Sequence, residues 1–308
     1  MADSDTLAAA YARARALGAL VDLSHRAKWR LSGADRVRYL NGQVTNDVRR
    51  IRPDAALAAC VTTAKGRLCG LIQVSADADF FRIDAEEEIR DSLTARLERY
   101  IIADDALLQD VTGEECLFHL LPPASPGSLG GVEIRTANRF GRPGIDIIAP
   151  RSEQARLSRE LAARFPLLPP PVLESLRIEG GVPRWGAELT GETLPPEAGL
   201  DASAIDYFKG CYIGQEVISR IKSVGHVNRR LVGFISPEPL SAPMLVTAAS
   251  DPEKAAGEIT SAAWIFGLDT WAGLGYLKRG FEQTVLQARA APAGAPVALQ
   301  VRQLPLIP

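Results

Sequence analysis

The chain has 308 residues, and its 35 Lys and Arg against 37 Asp and Glu leave a formal charge of −2, with the basic residues scattered singly. That excludes the electrostatic footprint of a general nucleic-acid binder. Composition is ordinary for a globular protein and the longest apolar runs fall far short of a bilayer, so no membrane-spanning helix is expected, and the length suits about two domains, or three if small ones are present.

The first stretch, "MADSDTLAAAYARARALGAL", lacks both a basic leader and an uninterrupted apolar run. It reads as a short first helix of a cytoplasmic protein. "ALVDLS" and "AKWRLSG" follow as strands, then a short helix begun by Asp35 and ended near Asn41 and Gly42, then the turn-rich "QVTNDV". Residues 56 to 110 form β-rich runs broken at Lys65-Gly66 and at Asp77 to Asp79. A helix follows whose Ile89, Leu93, Leu97 and Ile101 share one face. The theme repeats over 111 to 170, with strands in "ECLFHLL" and "GVEIRTANRFGRPGIDIIAP" and a helix in "SEQARLSRELAARF" capped by Ser152. "PLLPPP" acts as a stiff connector. From about 228 the chain is β-rich, in short runs separated by Pro and Gly, which argues for a small terminal barrel or sandwich.

The four cysteines, Cys60, Cys69, Cys116 and Cys211, form no C-x-x-C pair, and His25, His119 and His226 are equally dispersed. Free thiols in a reducing compartment fit this pattern, and local spacing shows no metal site.

Two segments carry chemistry. In "LRIEGGVPRWGAELTGETLPPEAGL", Arg177, Glu179 and Glu188 sit among glycines and prolines that impose an irregular backbone, of the kind that surrounds a ligand. In "DYFKGCYIGQEVISRIK", Lys209 lies two residues before Cys211, and Val217, Ile218 and Ile221 mark a helix just beyond. A nearby ammonium and a helix N-terminus both favour thiolate. Cys211 then reads as a reactive thiol or a soft-metal ligand, against the alternative of a small buried hydrophobe. His226, fifteen positions on, offers it no local base.

Read together with "VDLSHRAKWRLSGADRVRYLNGQVTNDV" near the start and "GEITSAAW…GLDTWAGLGYLKRG" near the end, these segments resemble the folate-binding YgfZ family within the aminomethyltransferase, or glycine-cleavage T-protein, superfamily. The K-G-C-Y-x-G-Q-E block at Lys209, Gly210, Cys211, Tyr212, Gly214, Gln215 and Glu216 is specific to the YgfZ branch. The resemblance implies an α+β fold: a three-part T-protein-like ring with two antiparallel α+β domains and a small C-terminal β-barrel. Expected limits are 1–47 with 111–227 for a discontinuous first domain, 48–110 for an inserted second, and 228–308 for the barrel. It also implies a tetrahydrofolate site, with Glu179 facing the pterin and Arg177, Asn46, Asp47, Trp185 and Arg220 as further candidates. A carboxylate suits a pterin because it accepts two parallel hydrogen bonds.

The superfamily's enzymes carry an Asp pair where "KGRLCGLIQV" here has Cys69 and Gly70, neither of which can serve as a carboxylate base. The reading is therefore a folate-binding accessory protein, not an enzyme, that supports assembly or repair of iron–sulfur proteins. Cys211 would give one thiolate to a [2Fe–2S] cluster shared with an A-type carrier or a glutaredoxin-like partner. Alternatives are a tetrahydrofolate-dependent aminomethyltransferase or demethylase, and a structural protein with a relic pocket. A monomer with transient protein partners, and none of nucleic acid or membrane, is expected.

Overall fold

The computed structural model describes residues 4–290 and 294–307. Helix α1 (Ser4–Leu17) leads into strand β1 (Ala19–Asp22), β2 (Ala27–Ser32) and helix α2 (Arg36–Gln43); β3 (Ala56–Thr62), β4 (Leu68–Ala76) and β5 (Phe80–Ala85) precede α3 (Arg90–Glu98) and β6 (Leu107–Asp110). Then come β7 (Glu115–Leu121), β8 (Glu133–Asn138), β9 (Pro143–Pro150), α4 (Gln154–Ala162), α5 (Pro170–Glu179) and α6 (Gln215–Val224). The last six strands are β10 (Arg229–Ser236), β11 (Met244–Ala248), β12 (Asp251–Ile265), β13 (Thr270–Lys278), β14 (Leu286–Ala290) and β15 (Val297–Arg302).

They form a four-stranded sheet β1-β7-β9-β8, a five-stranded sheet β3-β4-β5-β2-β6, and a closed barrel β10-β13-β12-β11-β14-β15. Every strand pairing within the two sheets is antiparallel. The expected barrel is present and closed, which removes its free edges.

Strand β7 shows why "ECLFHLL" reads as a continuously apolar run. Leu117 and Leu121 pack towards α1 and α5, while Cys116, Phe118 and Leu120 pack towards α4. The strand is covered on both faces, so alternation disappears. In the second sheet, Trp29, Leu31, Ile72 and Ile83 are fully buried against Leu40 of α2 and Leu93 of α3. The α3 stripe behaves as its spacing predicts: Ile89, Leu93 and Leu97 are buried, and Ile101 packs on the same core from beyond the helix end.

Four local expectations need correction. Strand β2 pairs with β5 and β6, so segment 1–47 is divided between two sheets and its limit at 47 is not a sheet boundary. Hydrogen-bond partners of a strand lie outside its own sequence, so no local signal marks this. Ser152 does not cap α4, which is entered through a 3-10 turn at Arg151–Glu153 with no side-chain cap. "PLLPPP" is not connector throughout: Pro170 and Pro171 open α5, where their missing N–H groups cost nothing. Arg177 and Glu179 therefore stand on the last turn of a helix, and the irregular backbone begins only at Gly180.

The two sheets meet across a seam of buried ion pairs. Arg139 bridges Asp84 and Asp146 at 2.7 Å each, Arg82 joins Glu115 at 2.8 Å, and His119 Nδ1 lies 2.7 Å from Asp146. Burial opposes ionisation of Asp84, but Arg139 and Arg26 outweigh it and hold that carboxyl well below the usual range.

Candidate functional site

Of the four thiols, Cys60 and Cys116 are buried, Cys69 is half-buried and Cys211 is exposed. Burial pushes the Cys60 thiol up to about 12 and also raises those of Cys69 and Cys116. That makes Cys211 the accessible thiol of the molecule. It sits on the loop between a 3-10 turn at Leu200–Ala202 and α6.

The loop is held from both sides. Thr45 accepts from the backbone N–H of Asp206 (3.0 Å), and its hydroxyl donates to Ala204 O (2.6 Å). Asn46 Nδ2 donates to Ala58 O (2.9 Å). Asp47 accepts from the backbone N–H and side chain of Arg49, which holds its carboxyl below the usual range. Asn46 and Asp47 thus form the turn that seats the 203–206 segment.

Lys209 is the buried anchor. Its Nζ donates to Asn41 O (2.5 Å) and Val44 O (2.6 Å), carbonyls at the C-terminal end of α2, where the helix dipole favours a cation. Desolvation lowers its pKa from 10.5 to about 8, against the attraction of Asp47. The expectation that this ammonium tunes Cys211 needs revision: it faces α2, and its work is to fix the loop. Because the folded pKa is the lower one, this side chain holds more proton in the unfolded chain between about pH 8 and 10.5, and its contribution to stability rises across that window. Urea unfolding of wild type and Lys209→Met at pH 7.5 and 10 should show the difference in stability growing in favour of wild type; parallel pH profiles would refute this.

Beyond the thiol, Tyr212 buries its ring with Ile205 and Ile218, and its hydroxyl meets no hydrogen-bond partner among the described residues. Thr62 donates to Ile213 O (2.5 Å), and Ile213 N donates to Gly42 O (3.2 Å). Gly214 has φ +89°, and a Cβ there would lie 2.6 Å from Thr63 O. Gly210 has open space where a Cβ would be. No side chain caps α6, so Gln215 and Glu216 do not satisfy its first turn.

The six folate candidates each have their own partners or packing in the fold. Glu179 accepts from Tyr11 Oη (2.7 Å) and pairs with Arg15, both on α1. Arg177 is buried between Glu174 (2.7 Å) and Glu188 (3.0 Å). Trp185 packs half-buried against the second sheet, Asn46 and Asp47 are occupied as described, and Arg220 lies exposed on α6. Of the six, Glu179 alone lines the pocket bounded by Arg15, Pro122, Phe140, Leu176 and Ile307. Cys69 is a half-buried thiol beside Arg96, and Gly70 packs against Ile89, so that run presents no carboxylate.

No group of three or more His, Cys, Asp or Glu among the described residues is arranged to hold a metal ion, and no described helix is long and apolar enough to cross a membrane. Sequence reasoning missed Phe208, three residues before Cys211 and 95% exposed. Its only signal was an aromatic in a turn-rich run.

Among solved structures, the glycine cleavage system aminomethyltransferase T of Bartonella henselae matches with a TM-score of 0.86 over 98% of this chain and 89% of that one, at 18% identity. The architecture is therefore the T-protein fold. No protein-family model matches the chain. It is 28% identical over 308 residues to the tRNA-modifying protein YgfZ of Sodalis glossinidius (strain morsitans), covering 93% of this chain and 92% of that one. The protein of the same name from Escherichia coli O157:H7 (strain EC4115 / EHEC) is 28% identical over 245 residues, 74% of each chain. On these comparisons the chain is a homologue of the YgfZ proteins, as its K-G-C-Y-x-G-Q-E block suggested.

Proposed function

We propose that this protein is an accessory factor that presents one thiolate, Cys211, to an iron–sulfur cluster carried by a partner protein. The observation that carries this reading is an exposed thiol on a loop locked in place by a buried lysine. The chain's described residues supply no cluster of ligands, so the remaining iron ligands come from the partner, an A-type carrier or a glutaredoxin-like protein. Cys211 binds iron as the thiolate, its proton passing to solvent.

The aminomethyltransferase reading is the weaker one, because the stretch aligned with the enzymes' Asp pair offers a thiol and a glycine. Tetrahydrofolate binding belongs to the accessory-factor reading, with Glu179, which lines a pocket, as its candidate contact. The names of the relatives make tRNA modification a process in which to look for a deficit, and a reducing, cytoplasmic setting suits four free thiols.

The test is aconitase activity in cells lacking the gene, complemented with wild type or Cys211→Ser. Wild type should restore activity and the serine variant should not, since a hydroxyl of almost the same size cannot ligate iron as a thiolate does. Equal rescue by both would remove Cys211 from the mechanism.

A further inference from the structure

We propose that Arg15 of α1 holds the ligand's place at Glu179, so that α1 is a lid over that pocket and yields to a ring whose edge carries two adjacent N–H donors, which take over from Arg15 and Tyr11. This rests on the reading of Glu179 as the tetrahydrofolate contact and names what controls entry to it.

Both carboxylate oxygens of Glu179 are filled from α1. Oε1 accepts from Arg15 Nη2 and Oε2 from Tyr11 Oη (2.7 Å), while Arg15 Nε donates to the same hydroxyl (3.0 Å). Donors side by side on one carboxylate are also what the 2-amino group and neighbouring ring N–H of a pterin present, so the guanidinium and the ring compete for one seat. The Glu179 side chain is 3% exposed. A buried carboxylate stripped of its partners is costly, so a ligand displaces Arg15 by bringing donors of its own. Arg15 is thereby a filter as well as a lid.

The pocket is too small for a ring to enter beside them. Between Arg15, Pro122, Phe140, Leu176 and Ile307 the free space is about 30 Å³, room for about two waters and far short of a fused bicyclic ring. One wall must give, and the walls are not equally held. Phe140 lies backbone to backbone against the end of α5, where a Cβ on Gly180 would stand 2.5 Å from Phe140 O. Leu121 belongs to β7, which is paired on both sides, and the C-terminal tail is tied by Leu306 N donating to Glu179 O (2.8 Å). Helix α1, by contrast, buries Tyr11 and Ala14 of its fourteen residues. An element with so small a buried face opens locally at low cost. The helix that blocks the carboxylate is also the wall most easily lifted.

The experiment titrates the full-length protein with tetrahydrofolate by calorimetry under reducing conditions. Arg15→Ala should bind at least about tenfold tighter than wild type, since apparent affinity scales with the fraction of molecules whose seat is free. Glu179→Gln should lose binding. An analogue with methyl in place of the 2-amino group should bind far more weakly, and equal affinity for it would overturn the proposal. Wild-type binding that Arg15→Ala does not tighten would overturn the lid and leave the folate reading intact. Absence of binding in both, or wild-type affinity in Glu179→Gln, would bring down the folate reading and the lid with it. Because Arg15→Ala leaves a buried carboxylate short of a partner and can cost stability, hydrogen exchange on the wild-type chain is the second readout. Saturating tetrahydrofolate should speed exchange of the α1 amides while those of β7 stay slow. Slower exchange in α1 would mean that the ring enters without displacing the helix, and would overturn the proposal.

Discussion

Replacing Glu188 with alanine is expected to lower stability by about 3–5 kcal/mol, the cost of breaking a buried ion pair by removing one partner. Its carboxylate accepts four hydrogen bonds. Arg177 Nη1 and the Arg184 backbone N–H reach Oε2 at 3.0 Å each, and Thr260 and Ser261 of β12 reach Oε1 at 2.7 and 2.6 Å. Glu188 thereby ties the irregular segment after α5 to the barrel, and Tyr276 of β13 strengthens the tie by donating to its carbonyl (2.8 Å). Loss of the carboxylate leaves Arg177 with Glu174 as its remaining carboxylate partner and strips Ser261 of its acceptor. Urea unfolding measures the effect; a loss below about 1 kcal/mol would show that the joint is held by packing instead.

The second large effect is expected at Gly214. A valine there would have to adopt the left-handed φ of +89°, and its Cβ would press on Thr63 O and on Thr62 Oγ1, 2.6 and 2.7 Å away. The conformational penalty alone is about 1–2 kcal/mol. The loop's escape is to lift off the β3–β4 turn, breaking the bond from Thr62 to Ile213 and moving Cys211 although the thiol itself is untouched. Complementation by Gly214→Val should fall to the level of Cys211→Ser. Gly210→Ala is the control: with open space at its Cβ position, its stability should stay within about 0.5 kcal/mol of wild type. Full complementation by Gly214→Val would mean that the thiol's placement does not matter.

Much of the fold was legible because it is written in short-range periodicity. The α3 stripe, the unbroken apolar run of β7 and the Pro- and Gly-punctuated strands of the barrel each announce an element within a dozen residues. The motif around Cys211 was legible too, since glycines and a lysine about a lone cysteine are poor core filling. Less legible was what each motif residue does. Lys209 looked like a neighbour that would tune the thiol, yet its partner Asn41 is 168 residues away. Glu179 looked like a ligand for a pterin, yet Tyr11 and Arg15 arrive from the first helix to occupy it. Spacing along the chain carries no record of contacts at such range.

By itself, then, the sequence determined the kinds of element, a small barrel or sandwich at its end, the likeness to YgfZ proteins and Cys211 as the candidate thiol, because hydrophobic period, turn chemistry and a contiguous motif are all local. The tertiary structure decided which carboxylates and guanidinium groups are spent on one another, as along the seam of Asp84, Arg139 and Asp146, and which side chains remain outside, as Phe208 does on the loop that carries the thiol. Those outcomes depend on desolvation and charge pairing between segments that meet only when the chain is folded.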